Sequence, residues 1–276
     1  MDHQAVEKEA KKLEQLALNE QTDKMAQELH SLSPADRRAV AKQIEKDAKQ
    51  DSSGFLPTME FAASGDLKSV VEVNRVGRDN RREVDHKEYD PATGKLKYFD
   101  AKGADNSTAH EEYDSTTGKK KSYDEKNADK SEEHWKYDPV TGNLMTKDLT
   151  ESNGVKMHFD YDPATGQRLS EDFKDASGNT TYHGEHRYDP TTKKQVSESI
   201  TNEDGSTKRT EYDAVTGQQK SQEERDKNGN LTYRSDRHYD PNSGNLKSVD
   251  IAERQPDGTM KHYQYDPNTG QRKSLD

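Results

Sequence analysis

The sequence predicts a mainly β protein, an antiparallel meander of β-hairpin repeats with roughly 16 or 17 short strands behind an N-terminal α-helical segment. Three observations predict it. A phrase of the form Tyr-Asp-Pro-x-Thr-Gly recurs as YDPVTG at 137–142, YDPATG at 161–166 and YDPNTG at 265–270. Its tyrosine falls at Tyr89, Tyr113, Tyr137, Tyr161, Tyr188, Tyr212, Tyr239 and Tyr265, at intervals of 24 to 27 residues. A second turn signal lies midway between copies: SNG at 152–154, ASG at 176–178, EDG at 203–205, KNG at 227–229 and PDG at 256–258.

The N-terminal segment, residues 1–58, reads as a pair of helices. Val6, Leu13, Leu16, Ala17, Met25, Leu29 and Leu32 fall near one stripe at helical spacing. Ser33 and Pro34 start the second helix as N-cap and first helical residue, with Asp36 in the first turn. Val40 and Ile44 form its apolar face, and DSSGFLP at 51–57 ends it. Neither helix is stable alone, so both are expected to pack on something. With Phe55, Leu56, Met59 and Phe61 they are candidates to cap the open end of the repeat array. The rival reading is a separate helical interaction module.

From residue 59 to 276 the chain reads as about eight and a half repeat units. In each phrase Asp accepts bonds from the backbone ahead of it, Pro presets φ, and Gly takes the positive φ that closes the turn. The tyrosine then faces the residue two after Gly: Leu96, Lys120, Leu144, Arg168, Gln195, Gln219, Leu246 and Arg272. Asn-Gly and Asp-Gly at the midway turns are strong short-hairpin signals. Two copies depart from the pattern, with Lys193 in place of Gly and Asn127-Ala128 where a Gly is expected. Period-two alternation gives one face the tyrosines, with Trp135, Phe159 and Tyr263 two residues before them. The same face is expected to carry a hydroxyl column, including Ser69, Ser122, Thr146 and Ser170. The other face is charged.

The alternation of Tyr-Asp…Gly with Asp…Gly…Tyr-x-Tyr-Asp, best seen in QPDGTMKHYQYDPNTGQR at 255–272, resembles the YD repeats of bacterial RHS and teneurin-type proteins. It covers roughly residues 64–276, with three residues between Asp and Gly where YD repeats usually have two. MORN-variant repeats are a second resemblance, without the Gly-x-Gly of standard units. The RHS resemblance implies hairpin architecture and, as an alternative function, a part in a larger secreted, toxin-associated surface system.

Composition narrows the functional classes. Leu, Ile, Val and Phe together make up 34 of 276 residues, and 35% are charged, so a partly disordered charged spacer is a rival. The net charge of -11 argues against nucleic acid as partner. Without Cys there is neither a disulfide framework nor a thiolate site. No signal-like leader and no membrane-length apolar run is present, so the cytoplasm is the default compartment. No cofactor, metal site or catalytic set is expected. Each turn Asp is engaged by its own turn, which leaves it short of the six to eight oxygens calcium requires.

Repetition spreads similar residues along a face, whereas catalysis needs one singular place. The expected function is therefore non-enzymatic: an extended surface for binding or scaffolding a protein, with a glycan as the other candidate. The candidate surface is the aromatic column Tyr89, Tyr113, Trp135, Tyr137, Phe159, Tyr161, Tyr239, Tyr263 and Tyr265. On the opposite face, His86, His110, His134, His158 and His262 precede repeat tyrosines by three and form a candidate pH-sensitive strip. Equivalent histidines lie two strands apart, about 9.5 Å, too far to share one zinc ion. Unpaired edge strands leave the oligomeric state open.

Overall fold

The computed structural model describes residues 1–51, 56–76 and 81–276. Phe55 lies outside the described residues. The chain divides into two compact units, Met1–Ser152 with Pro163–Gly166, and Asn153–Asp162 with Gln167–Asp276.

The first unit opens with three helices, α1 (His3–Leu18), α2 (Thr22–Ser31) and α3 (Pro34–Gln50). The apolar stripe that reads as one helix is broken between Leu18 and Thr22. Glu20 takes a positive φ of 59°, and Gln21 N–H closes back on Leu16 O. Asp2 caps α1 through Ala5 N–H at 2.8 Å, and Ser33 caps α3 through Asp36 N–H at 3.3 Å, as its sequence predicts. Eight strands follow: β1 (Thr58–Phe61), β2 (Leu67–Val76), β3 (Arg81–Tyr89), β4 (Leu96–Lys102), β5 (Thr108–Tyr113), β6 (Lys120–Lys126), β7 (Glu132–Tyr137) and β8 (Leu144–Thr150). Each pairs antiparallel with its sequence neighbours.

The apolar core sits where the helices meet the first strands. Leu13 of α1, Met25 and Leu29 of α2, and Val40 and Ile44 of α3 are fully buried with Leu67 and Val70 of β2. Tyr89, at the end of β3, is 2% exposed. Its hydroxyl lies 2.7 Å from Asp23 Oδ1 and 3.0 Å from Thr22 Oγ1, at the start of α2. Met59, Phe61 and Leu96 pack around this core. The helices thus cover the tyrosine face of the first strands. A cluster at the β1–β2 turn ties them down: buried Asp66 accepts from Arg37, from Ser64 Oγ at 2.6 Å, and meets His30 Nδ1 at 2.7 Å. Gly65 in that turn has φ +88°, and a Cβ there would lie 2.7 Å from the Arg38 backbone nitrogen.

The second unit is all β, with β9 (Lys156–Tyr161), β10 (Arg168–Lys174), β11 (Thr180–Tyr188), β12 (Gln195–Asn202), β13 (Thr207–Tyr212), β14 (Gln219–Arg225), β15 (Leu231–Tyr239), β16 (Leu246–Arg254), β17 (Met260–Tyr265) and β18 (Arg272–Ser274). These also pair antiparallel in sequence order. Eighteen described strands exceed the expected 16 or 17.

Every predicted tyrosine partner is observed, from Tyr89 opposite Leu96 to Tyr265 opposite Arg272. The turn chemistry explains it. Asp138 Oδ1 accepts from Val140 N–H, Thr141 N–H and Thr141 Oγ1 at 2.9, 2.6 and 3.0 Å, while Gly142 takes φ +81°. At the midway turns only the third loop residue has positive φ, as at Gly178 and Gly229. These are three-residue loops with a bulge, not two-residue Asn-Gly hairpins. In the 113–136 unit the glycine role falls to Lys130 (φ 73°), and Lys193 (φ 61°) replaces the phrase glycine.

Candidate functional site

The hydroxyl column lies on the opposite face from the one alternation predicts. Tyr113 pairs with Lys120, but Glu112 pairs with Ser122, so Lys121 is an extra residue that reverses the alternation. Ser122 consequently shares a face with Asp124, and Ser170 Oγ donates to Asp160 at 2.8 Å. The bulge recurs after most phrases.

On the tyrosine face of the first unit, Tyr89 is core and takes no part in an exposed strip. The strip proper begins beyond it. Tyr123 and Trp135 meet edge to face at 5.5 Å, and Trp135 leans on Tyr137 at 6.4 Å. Trp135 Nε1 donates to Glu133 at 3.0 Å, Tyr123 donates to Glu125 at 2.7 Å, and Tyr113 donates to Glu111. Lys147 Nζ stands 4.4 Å over the Trp135 ring. These rings are half-buried. Burial, reinforced by Glu111 and Glu125 respectively, pushes the Tyr113 and Tyr123 hydroxyls up, so both stay protonated donors at neutral pH.

In the second unit, Phe159 meets Phe173 edge to face at 5.7 Å, and Phe173 stacks on Tyr182 at 5.0 Å. Tyr182 donates to Glu171 at 2.9 Å, and Arg168 pairs with the same carboxylate at 2.7 Å. Gly184 makes room for this cluster, since a Cβ there would lie 3.0 Å from Glu171. Tyr239 donates to Gln219 O at 2.7 Å, Tyr263 lies under Arg272 at 4.8 Å, and Tyr161 and Tyr265 are half-buried.

The opposite face holds the predicted histidines and a column that the sequence reading omits. Asp100 lies between His86 and His110 in register, and Asp124 between His110 and His134, with Asp148 next across β8. In the second unit Asp172 lies between His158 and His183. The signal was present: Asp100, Asp124, Asp148 and Asp172 recur every 24 residues. His110, His134 and His183 bond through Nδ1 to the preceding aspartate at 2.6, 2.6 and 2.7 Å. Tyr98 stacks on His110 at 5.9 Å. A groove of about 500 Å³ runs along this face over His86, His110 and His134. His262 departs from the pattern, facing Ala252 in register and meeting Asp276 at 2.9 Å.

No protein family description matches the chain, and no curated protein does. The solved structures that resemble it include TcdB2-TccC3, at 15% identity and a TM-score of 0.33, over 78% of this chain and 12% of that one. TcdB2-TccC3-Cdc42 gives the same identity and coverage with a TM-score of 0.32. A porin-like protein from Bacteroides uniformis is 11% identical, with a TM-score of 0.27, over 71% of this chain and 92% of that one. The chain spans 12% of the length of the first two. Likeness at this level carries no argument about function. Among the described residues no helix is long and apolar enough to cross a membrane.

Proposed function

We propose that the chain is a non-enzymatic repeat protein whose aromatic strip, through Tyr113, Tyr123, Trp135 and Tyr137, binds an extended protein segment. One observation supports this reading above others: the helices bury Tyr89 and leave the later rings of the same face half-exposed. Large aromatic side chains in partly desolvated positions are the usual anchors of a protein interface. The cationic heads of Lys120 and Lys147 and the carboxylates of Glu111, Glu125 and Glu133 flank the rings with groups that can fix a partner's register.

Trp135 is the chain's single tryptophan, so its fluorescence reports directly on this strip. A protein partner isolated on the intact chain should perturb that emission. It should bind the Trp135→Ser variant at least about tenfold more weakly. Unchanged affinity and unchanged emission would remove the strip from the interface. A glycan is the competing ligand and is tested by the same emission change on glycan addition. An activity screen comparing the intact chain with His110 and His134 substitutions tests the non-enzymatic part of the reading. The alternative, a segment of a larger RHS-like surface system, rests on the Tyr-Asp phrase and is tested on the flanking coding sequence.

A further inference from the structure

We propose that the alternating histidine and aspartate ladder is a proton-dependent clamp that strengthens strand pairing as the pH falls toward 6. Directly opposed residues of neighbouring strands stand about 4.5–5.5 Å apart at Cβ, the range in which opposite charges on a sheet reinforce pairing. In the first unit this relation is repeated from β3 to β8: His86, Asp100, His110, Asp124, His134, Asp148. The neutral ring of His110 or His134 bonds through Nδ1 to the preceding aspartate. Once protonated, either ring gains charge attraction to the carboxylates on both sides, and its Nε2 gains a proton.

That second nitrogen also faces an acid. His110 Nε2 lies 3.8 Å from Glu112, His134 Nε2 lies 3.9 Å from Glu132, and His183 Nε2 lies 3.6 Å from Glu185. Each acid is two residues from its histidine along the same strand and shares its face. The opposing cations on this face are fewer. For His110 they are Lys102 on β4 and Lys126 on β6, with Lys121 3.7 Å from Glu112. Lys126 also flanks His134, where it pairs with Glu132 at 2.6 Å, and Lys136 lies on the same strand. His86 faces Val71 on β2 and Asp100 on β4. His183 faces Asp172 on β10 and Thr201 on β12, with Lys174 beyond Asp172.

The electrostatics agree with the geometry. Burial pulls His110 down, but the Asp100 bond and the charges of Asp100, Glu112 and Asp124 outweigh it and leave it raised. The Asp172 bond raises His183 against a smaller opposing effect of burial, with Glu185 adding to the rise. A raised folded value means stabilisation fully present below the ordinary histidine range near 6.5 and lost as pH rises through the folded value. The direction is opposite to ordinary acid destabilisation, which begins when the carboxylates protonate near pH 4.

The test is urea unfolding of the intact protein, followed by Trp135 fluorescence and far-UV circular dichroism near pH 6 and near pH 8. The midpoint should be higher at the lower pH. A His110→Gln/His183→Gln variant should lose most of that difference, mainly through its midpoint at the lower pH. If that variant does not fold, imidazole NMR of the unaltered protein decides: His110 and His183 should titrate above the ordinary histidine value, with the proton on Nδ1 in the neutral form. A midpoint that is equal or lower near pH 6, or rings that titrate at or below the ordinary value, would overturn the proposal.

Discussion

Replacing Tyr89 with alanine should cost about 3–5 kcal/mol of stability and loosen the helices from the sheet. The ring is the last buried element of the core and the point where the repeated tyrosine column passes beneath α2. Its removal leaves a cavity in the cluster that includes Leu67, Val70 and Leu29, and leaves buried Thr22 without its phenol partner. Tyr89→Phe separates the two contributions. It keeps the packing and should cost only about 1 kcal/mol for the lost bond. The same substitution at Tyr137, half-exposed and outside the core cluster, should be milder than at Tyr89. Chemical denaturation of the three alanine and phenylalanine variants checks this ranking. Equal losses at Tyr89 and Tyr137 would mean that the helices do not depend on the column.

Asp66→Ala should be comparably damaging, about 3–5 kcal/mol, because it strands Arg37 beside a buried turn. The Asp66 side chain is 2% exposed and Arg37 12%. The Arg37 guanidinium also donates to His30 O and Leu32 O at 2.8 and 3.0 Å, tying the end of α2 to the start of α3. One carboxylate therefore joins both helices to the first hairpin. Burial alone would raise Asp66, but the bonds from Ser64, His30 and Arg37 together outweigh it and hold it below the usual carboxylate range. A depressed folded value contributes stability that is present above the ordinary aspartate value near 3.9 and lost as pH falls through the folded value. Acid titration of the intact chain should consequently release the helices at a pH below that of ordinary aspartate protonation. Asp66→Asn, which keeps the shape and removes the charge, should abolish this low-pH step.

Local turn chemistry was legible in the sequence because it is written within six residues. Tyr, Asp, Pro and Gly at fixed offsets determine which residue faces each tyrosine, and all eight pairings follow. Side-chain facing beyond the turn was less legible. A single extra residue such as Lys121 reverses the alternation, and nothing in its type announces a bulge. The break between α1 and α2 was hidden because Leu16, Met25 and Leu29 suit either one helix or two. The histidine column was visible, but its meaning depends on Asp100 and Asp124, ten residues before His110 and His134 and adjacent only across the sheet. The Arg37–Asp66–His30 cluster was out of reach for a different reason: its members are 29 and 36 residues apart, and Arg37 and His30 belong to no repeat.

Each phrase folds a hairpin of an antiparallel meander, and the helices cover its first strands. Native-state hydrogen exchange of the intact chain, read peptide by peptide, tests it most directly. Slow exchange is predicted for the strands from β2 to β17. The slowest amides should lie in β2 and the end of β3 beneath the helices, with faster exchange at the midway turn tips near Gly178, Gly205 and Gly229. Rapid, uniform exchange from residue 81 onward, with protection confined to α1, α2 and α3, would rule out the folded meander.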